Sequence, residues 1–156
     1  MRKSVLAPTH VPETRPPLDA WLDLEHLASL EISSEDPAHP FEDALRGKET
    51  EGWHAADPGP QTILLKFDQP HPLRRIRLEF REPRAERSQE FALFVVTGGQ
   101  KRQVARQQWN FSPNGSTLEI EDFDVSLPEV SELQLVIDPG RGDQQAYASL
   151  QSLALA

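Results

Sequence analysis

No cysteine occurs in this 156-residue chain. Its absence excludes a disulfide framework, a zinc–thiolate cluster and thiol catalysis. Long apolar runs are missing as well. No window approaches the ~20 apolar residues of a membrane helix, and Val5-Leu6-Ala7 is far too short for the apolar core of a secretory leader. A cytoplasmic setting without membrane contact is the expectation. Catalytic signatures are also lacking. There is no Gly-x-Ser-x-Gly elbow, no phosphate-cradling glycine loop and no His-Glu-x-x-His. Ser112 has no histidine beside it, and Glu121 and Asp122, neighbours on a strand, point to opposite faces. The chain reads as non-enzymatic and without a cofactor.

What is present fits one turn-rich domain. Proline numbers 14 and hydrophobic content is 37%, a composition that suits short strands between turns better than helices. Four of those prolines fall in residues 1–17, so residues 1–20 are expected to be a flexible tail and 21–156 the folded domain. The net charge of −9 is unevenly spread: residues 61–112 carry 10 basic and 5 acidic side chains, and acidic segments flank them. An acidic chain is a poor general nucleic-acid binder, because phosphate neutralisation supplies most non-specific affinity.

Read in order, Leu27 to Ser33 is a strand that ends at the turn pair Asp36-Pro37. Pro40, then Glu42 and Asp43 in the first turn, and Gly47 beyond the end mark one short helix from Pro40 to Arg46. From Gln61 onward the period is two. Ile63, Leu65 and Phe67 face in, Gln69 to Pro72 reads as a turn, and Ile76, Leu78 and Phe80 face in again, with Arg75, Arg77, Glu79 and Arg81 outward. Phe91 to Val96 is apolar on both faces, as a central strand is. Gly98-Gly99 predicts a hairpin into Lys101–Phe111. Leu118 and Ile120 are out of phase with Phe123, Val125 and Leu127, so a bulge near Asp122 is expected to return both sets to the core. A second bulge is expected near Gln151-Ser152. About eight strands, one short helix and a turn signal every ten residues or so predict an all-β, antiparallel β-sandwich jelly roll.

Candidate contacts fall in two places. Asp36 and His39 lie three apart beside a turn, with His54 able to join them. They read either as a polar clamp or acid–base pair, or as caps of the turn and helix. No third ligand at zinc spacing stands beside them, so no metal is assigned. Trp53 offers either a sugar-stacking face or a plug for the end of the core. The second place is the amide-, guanidinium- and carboxylate-rich set Arg87, Gln89, Glu90, Arg106, Gln107 and Gln108 around the central strands, a mixture suited to hydroxyl groups. The row Arg75, Arg77, Arg81 reads either as an anion face or as a solvated face paired to acidic neighbours. The residues selected as ligand contacts are Trp53, His54, Asp36, His39, Arg87, Glu90, Arg106 and Gln108.

This layout resembles the discoidin (coagulation factor 5/8 type C) group of galactose-binding-like jelly rolls. The resemblance is carried by Ser33-Ser34, the Ala44–Trp53 segment, the Gln61–Phe67 strand and the closing Ala148-Ser149-Leu150-Gln151-Ser152-Leu153. It implies a binding module for a carbohydrate or other small polar ligand, held by loops at one end of the sandwich. It also implies a structural calcium, with ligands from a loop after the helix and a glutamate in the last strand. Arg46 and Gln151 stand at two of those positions, and neither suits a cation that wants anionic and carbonyl oxygens, so no calcium is expected. A second likeness, in Ser33 to His39 and Trp53-His54-Ala55-Ala56, is to the N-terminal domain of the X-ray-repair scaffold protein that partners DNA ligase III. It implies, as the alternative, a protein-interaction or nicked-DNA-binding scaffold domain.

Overall fold

The computed structural model describes residues 21–46 and 50–156. The expected tail and the Gly47 helix stop lie outside the described residues. Eight strands run through the rest: β1 (Ala28–Ile32), β2 (Trp53–Pro58), β3 (Gln61–Arg81), β4 (Arg87–Thr97), β5 (Gln100–Phe111), β6 (Leu118–Asp138), β7 (Tyr147–Leu150) and β8 (Ser152–Leu155). Two short helices, α1 (Leu24–Leu27) and α2 (Phe41–Leu45), replace the single expected one. The helix α2 starts after Pro40 and buries Phe41 and Ala44, the apolar face its spacing predicts.

The pairings are antiparallel, in the order β1-β3-β6-β4-β5, with β8 also on β3 and β2 paired to β7. The turn expected at Gln69 to Pro72 is not a chain reversal. β3 continues through it, and its register against β6 slips between Lys66 and Arg75. Pro70 and Pro72 have no N–H to give the ladder, and Pro128 interrupts β6 in the facing stretch. Both strands therefore bend there while staying paired. The first half of β3 lies beside β1, and the second half lies beside β8. The two halves serve different layers of a β-sandwich jelly roll. Phe80 on the second half of β3 and Phe91 on β4, which are not ladder neighbours, stack with centroids 5.4 Å apart across the core.

The bulge expected near Asp122 is absent. Phe123, Asp122, Glu121, Ile120 and Glu119 pair in unbroken register with Ile76 to Phe80. One phase therefore holds: Leu118 and Ile120 are exposed, and Glu119 points in, 1% exposed. The irregularity sits further along, where the β4–β6 register slips next to Val130. At the C-terminal end the phase change is real. β7 pairs β2 and β8 pairs β3, so the chain changes sheet at Gln151. The Gly98-Gly99 hairpin forms as expected, with φ of 60° and 79° at the two glycines, the left-handed pair a tight hairpin turn needs.

Candidate functional site

Ser33 and Ser34 follow β1, and both hydroxyls donate to Gln61 Oε1, at 2.6 and 2.7 Å. Ser34 Oγ also accepts from Ala56 N at 3.0 Å, and its carbonyl takes the Trp53 Nε1 proton at 3.2 Å. These bonds fix the chain that leaves β1 against β2. The turn at residues 36–39 is then joined to β2 through the backbone. Asp36 N donates to His54 O at 2.9 Å, and His54 N to His39 O at 3.2 Å. The two histidine rings are thereby stacked, 4.0 Å apart and 20° from parallel.

These segments form one wall of a cleft of about 760 Å³. Asp36, Glu51 and His54 line that wall, Tyr147 and Ser149 of β7 also line the cleft, and Arg81 at the end of β3 joins Glu82 and Arg84 of the β3–β4 connection. Tyr147 is 54% exposed and presents its ring to solvent. Among the described residues, neither Arg81 nor Arg84 makes an ion pair. Burial, and then the neighbouring His39, hold the His54 imidazole below its usual range, which favours the neutral ring. Burial pushes the Glu82 carboxyl up. The Arg87 guanidinium at 2.8 Å and the N–H groups of Arg84 and Ala85 more than offset this and hold it below the usual carboxylate range.

The selected residues divide. Asp36 and His54 line the cleft, and His39 stacks on His54 behind that lining. Trp53 does not join them as a contact: it is 0% exposed, in the core, with its only polar atom bonded to Ser34. Trp53 offers no face to a ligand. Arg87 is buried too. It bonds Glu82, Gln89 Oε1 and Pro139 O, and lies over the Phe111 ring. It braces the cleft from behind. Glu90, Arg106 and Gln108 lie on the β4–β5 ladder away from the cleft lining, where Arg106 is 3.7 Å from Glu90 and Gln108 Oε1 accepts a hydrogen bond from Arg141 at 2.6 Å. Gln107 is exposed rather than a core contact. The arginine row is paired to an acidic neighbour, as one of its readings had it, but is not solvated throughout. Arg81 is exposed, whereas Arg75 is 4% exposed and makes a bidentate bond to Asp122, at 2.9 and 2.6 Å, which Arg77 joins at 3.3 Å.

Tyr147, Glu51 and Arg84 are among the cleft residues that escaped the sequence reading. Tyr147, the only tyrosine, follows a long turn, and a solitary aromatic at a strand start was the available signal. Glu51 and Arg84 sit in polar stretches without periodicity. The calcium implied by the family resemblance does not fit the residues present. Arg46 reaches back to Glu25, at 2.8 and 3.0 Å, and Gln151 Nε2 donates to the Thr50 carbonyl at 2.7 Å. A guanidinium in an ion pair and an amide that donates its N–H stand where the resemblance would put anionic oxygens.

No family model matches the sequence, and no curated protein does. Solved structures do match by shape. A family 32 carbohydrate-binding module from Clostridium perfringens NanJ, in complex with galactose, superposes with a TM-score of 0.62 at 17% identity, covering 86% of this chain and 96% of that one. The chain has the discoidin-like, galactose-binding-like fold. A second module with this fold, CpGH89CBM32-5 from the same organism in complex with GalNAc-beta-1,3-galactose, gives a TM-score of 0.62 at 19% identity over 86% of this chain and 98% of that one. XRCC1 bound to the DNA pol beta catalytic domain gives 0.58 at 16% identity over 81% and 92%.

Proposed function

We propose that this protein is a non-catalytic carbohydrate-binding module whose sugar site is the cleft between His54 and Tyr147. The observation that carries the proposal is that the exposed Tyr147 lines one cleft together with a set of hydrogen-bonding groups. A pyranose needs such a pairing: its C–H face lies on an aromatic ring, and its hydroxyls are read by charged and amide groups at the rim. Here Arg81, Arg84, Glu51, Asp36 and Ser149 supply the rim. The NanJ and CpGH89 modules, which share the fold, were solved with galactose-containing ligands.

Two features support the absence of catalysis. Sugar hydrolysis needs a carboxylic acid with a raised pKa beside a second carboxylate. Glu82 in the cleft is held low, and the carboxyl pushed well up, Glu119, is buried outside the cleft lining. The scaffold-domain alternative has less to stand on. Arg75 and Arg77, the cations a DNA track would recruit, are held by Asp122.

A glycan panel followed by NMR shift mapping tests the reading. Binding of a galactose- or uronate-containing glycan is expected to move Tyr147, His54 and Arg84 signals and to leave the β4–β5 hairpin still. Shifts confined to Glu90, Arg106 and Gln108, or no hit on the panel, would sink it.

A further inference from the structure

We propose that His39, Glu51 and His54 bind a divalent ion of the zinc class at the rim of the cleft. One ligand atom from each of the three lies within 4.8 Å of the others. Two imidazoles and a carboxylate form a donor set that suits zinc and its neighbours. It does not suit calcium, which takes six to eight oxygens.

The scaffold holds these groups in place. Backbone bonds join residues 36–39 to His54. Gly52, with φ of +74°, turns the chain between Glu51 and Trp53, and its N–H donates to Thr50 Oγ1 at 3.1 Å. His54 Nε2 is 3.2 Å from the Glu51 carbonyl. That carbonyl can only accept, so it places the ring proton on Nε2 and leaves Nδ1 with its lone pair. A backbone carbonyl on the second ring nitrogen is the usual support of a metal-bound histidine. In the stacked arrangement the two lone pairs lie in nearly parallel planes. One imidazole must therefore turn about its ring torsion for both to meet one ion. Neither ring is buried, so the turn meets no core packing. Three protein ligands leave a fourth position, and Glu51 and His54 both line the cleft, so that position opens toward it.

The inference stands apart from the sugar reading, because the ion is the probe and no glycan is needed. Zinc is titrated calorimetrically into the chelator-stripped full chain, and histidine side-chain resonances are followed by NMR. The expected result is one ion per chain, with His39 and His54 shifted and His26 and His71 unchanged. Glu51→Gln, an exposed change that spares the core, is expected to weaken zinc binding on the order of tenfold or more, and His39→Ala likewise, with unaltered circular dichroism. Absence of zinc binding overturns the proposal. So does binding that survives both substitutions unchanged, or that moves other histidines instead.

Discussion

Trp53 and Tyr147 sit on the same pair of strands with opposite fates. Trp53 pairs with Leu150 and is sealed in the core, whereas Tyr147 begins β7 and stands open. Tyr147→Ala is therefore expected to weaken sugar binding about tenfold, ~1.4 kcal/mol, while the unfolding free energy stays within about 0.5 kcal/mol of the parent. Calorimetry and urea denaturation read the two halves of that statement. Gly52 is a second decisive residue. Its φ of +74° strains any side chain, and a methyl there would run into the Leu150 carbonyl and lie 2.7 Å from the Gln151 Cα. Gly52→Ala is expected to cost more than about 1 kcal/mol, read as a lower urea midpoint with an unchanged slope. Trp53 was legible as a tryptophan after a polar loop, with both roles open. Its choice between core and ligand depended on which side of β2 met β7, which no local pattern reports.

At the scale of elements, the paired second half of β3 and first half of β6 carry two polar clusters on opposite faces. On one face Arg75 is held by Asp122 beneath the Trp21 ring, 4.8 Å away. Asp122→Ala strands a buried cation and is expected to cost about 3 kcal/mol or more, whereas Arg75→Met with Asp122→Leu restores much of the loss. A double-mutant comparison in urea decides this, and equal losses would contradict it. The opposite, inner face holds Glu119, with Gln89 at 3.4 Å. Burial, and then the neighbouring Glu121, push its carboxyl up to about 8 from 4.5. The folded state then keeps a proton that the unfolded chain releases. This stabilisation is complete below the unfolded value and is lost as pH climbs from about 4.5 to 8. Unfolding midpoints are expected to fall between pH 5 and pH 8. Glu119→Gln should flatten that slope and exceed the parent at pH 8. The alternation that predicted these strands also predicted Leu118 and Ile120 inside, because apolar side chains are the usual core occupants. The unbroken register with β3 overrode that preference and put a carboxyl there instead.

For the whole molecule, the residues present do not fit the calcium that the family resemblance implies, and the reason is chemical. The Gln151 amide donates to the Thr50 carbonyl and ties the last strands to the loop after α2, and Arg46 is paired with Glu25. Millimolar calcium added to the chelator-stripped chain is expected to leave the melting temperature unchanged. A calcium-dependent rise reversed by EDTA would contradict this. By itself the sequence determined the class of the fold: period-two apolar runs, proline and glycine turns and one proline-started helix specify an antiparallel sandwich, and Arg46 and Gln151 already argued against calcium. Those features are local, set by backbone sterics and by which face of a strand is apolar. Only the tertiary structure decided that the proline-marked turn at Gln69 to Pro72 is a bend in a continuous strand, and that Arg87 and Trp53 are interior. It alone brought Glu51, His54, Arg84 and Tyr147 to one cleft, with His39 stacked against His54. Periodicity tells a side chain's face, whereas the ladder register between distant strands sets its layer and its neighbours.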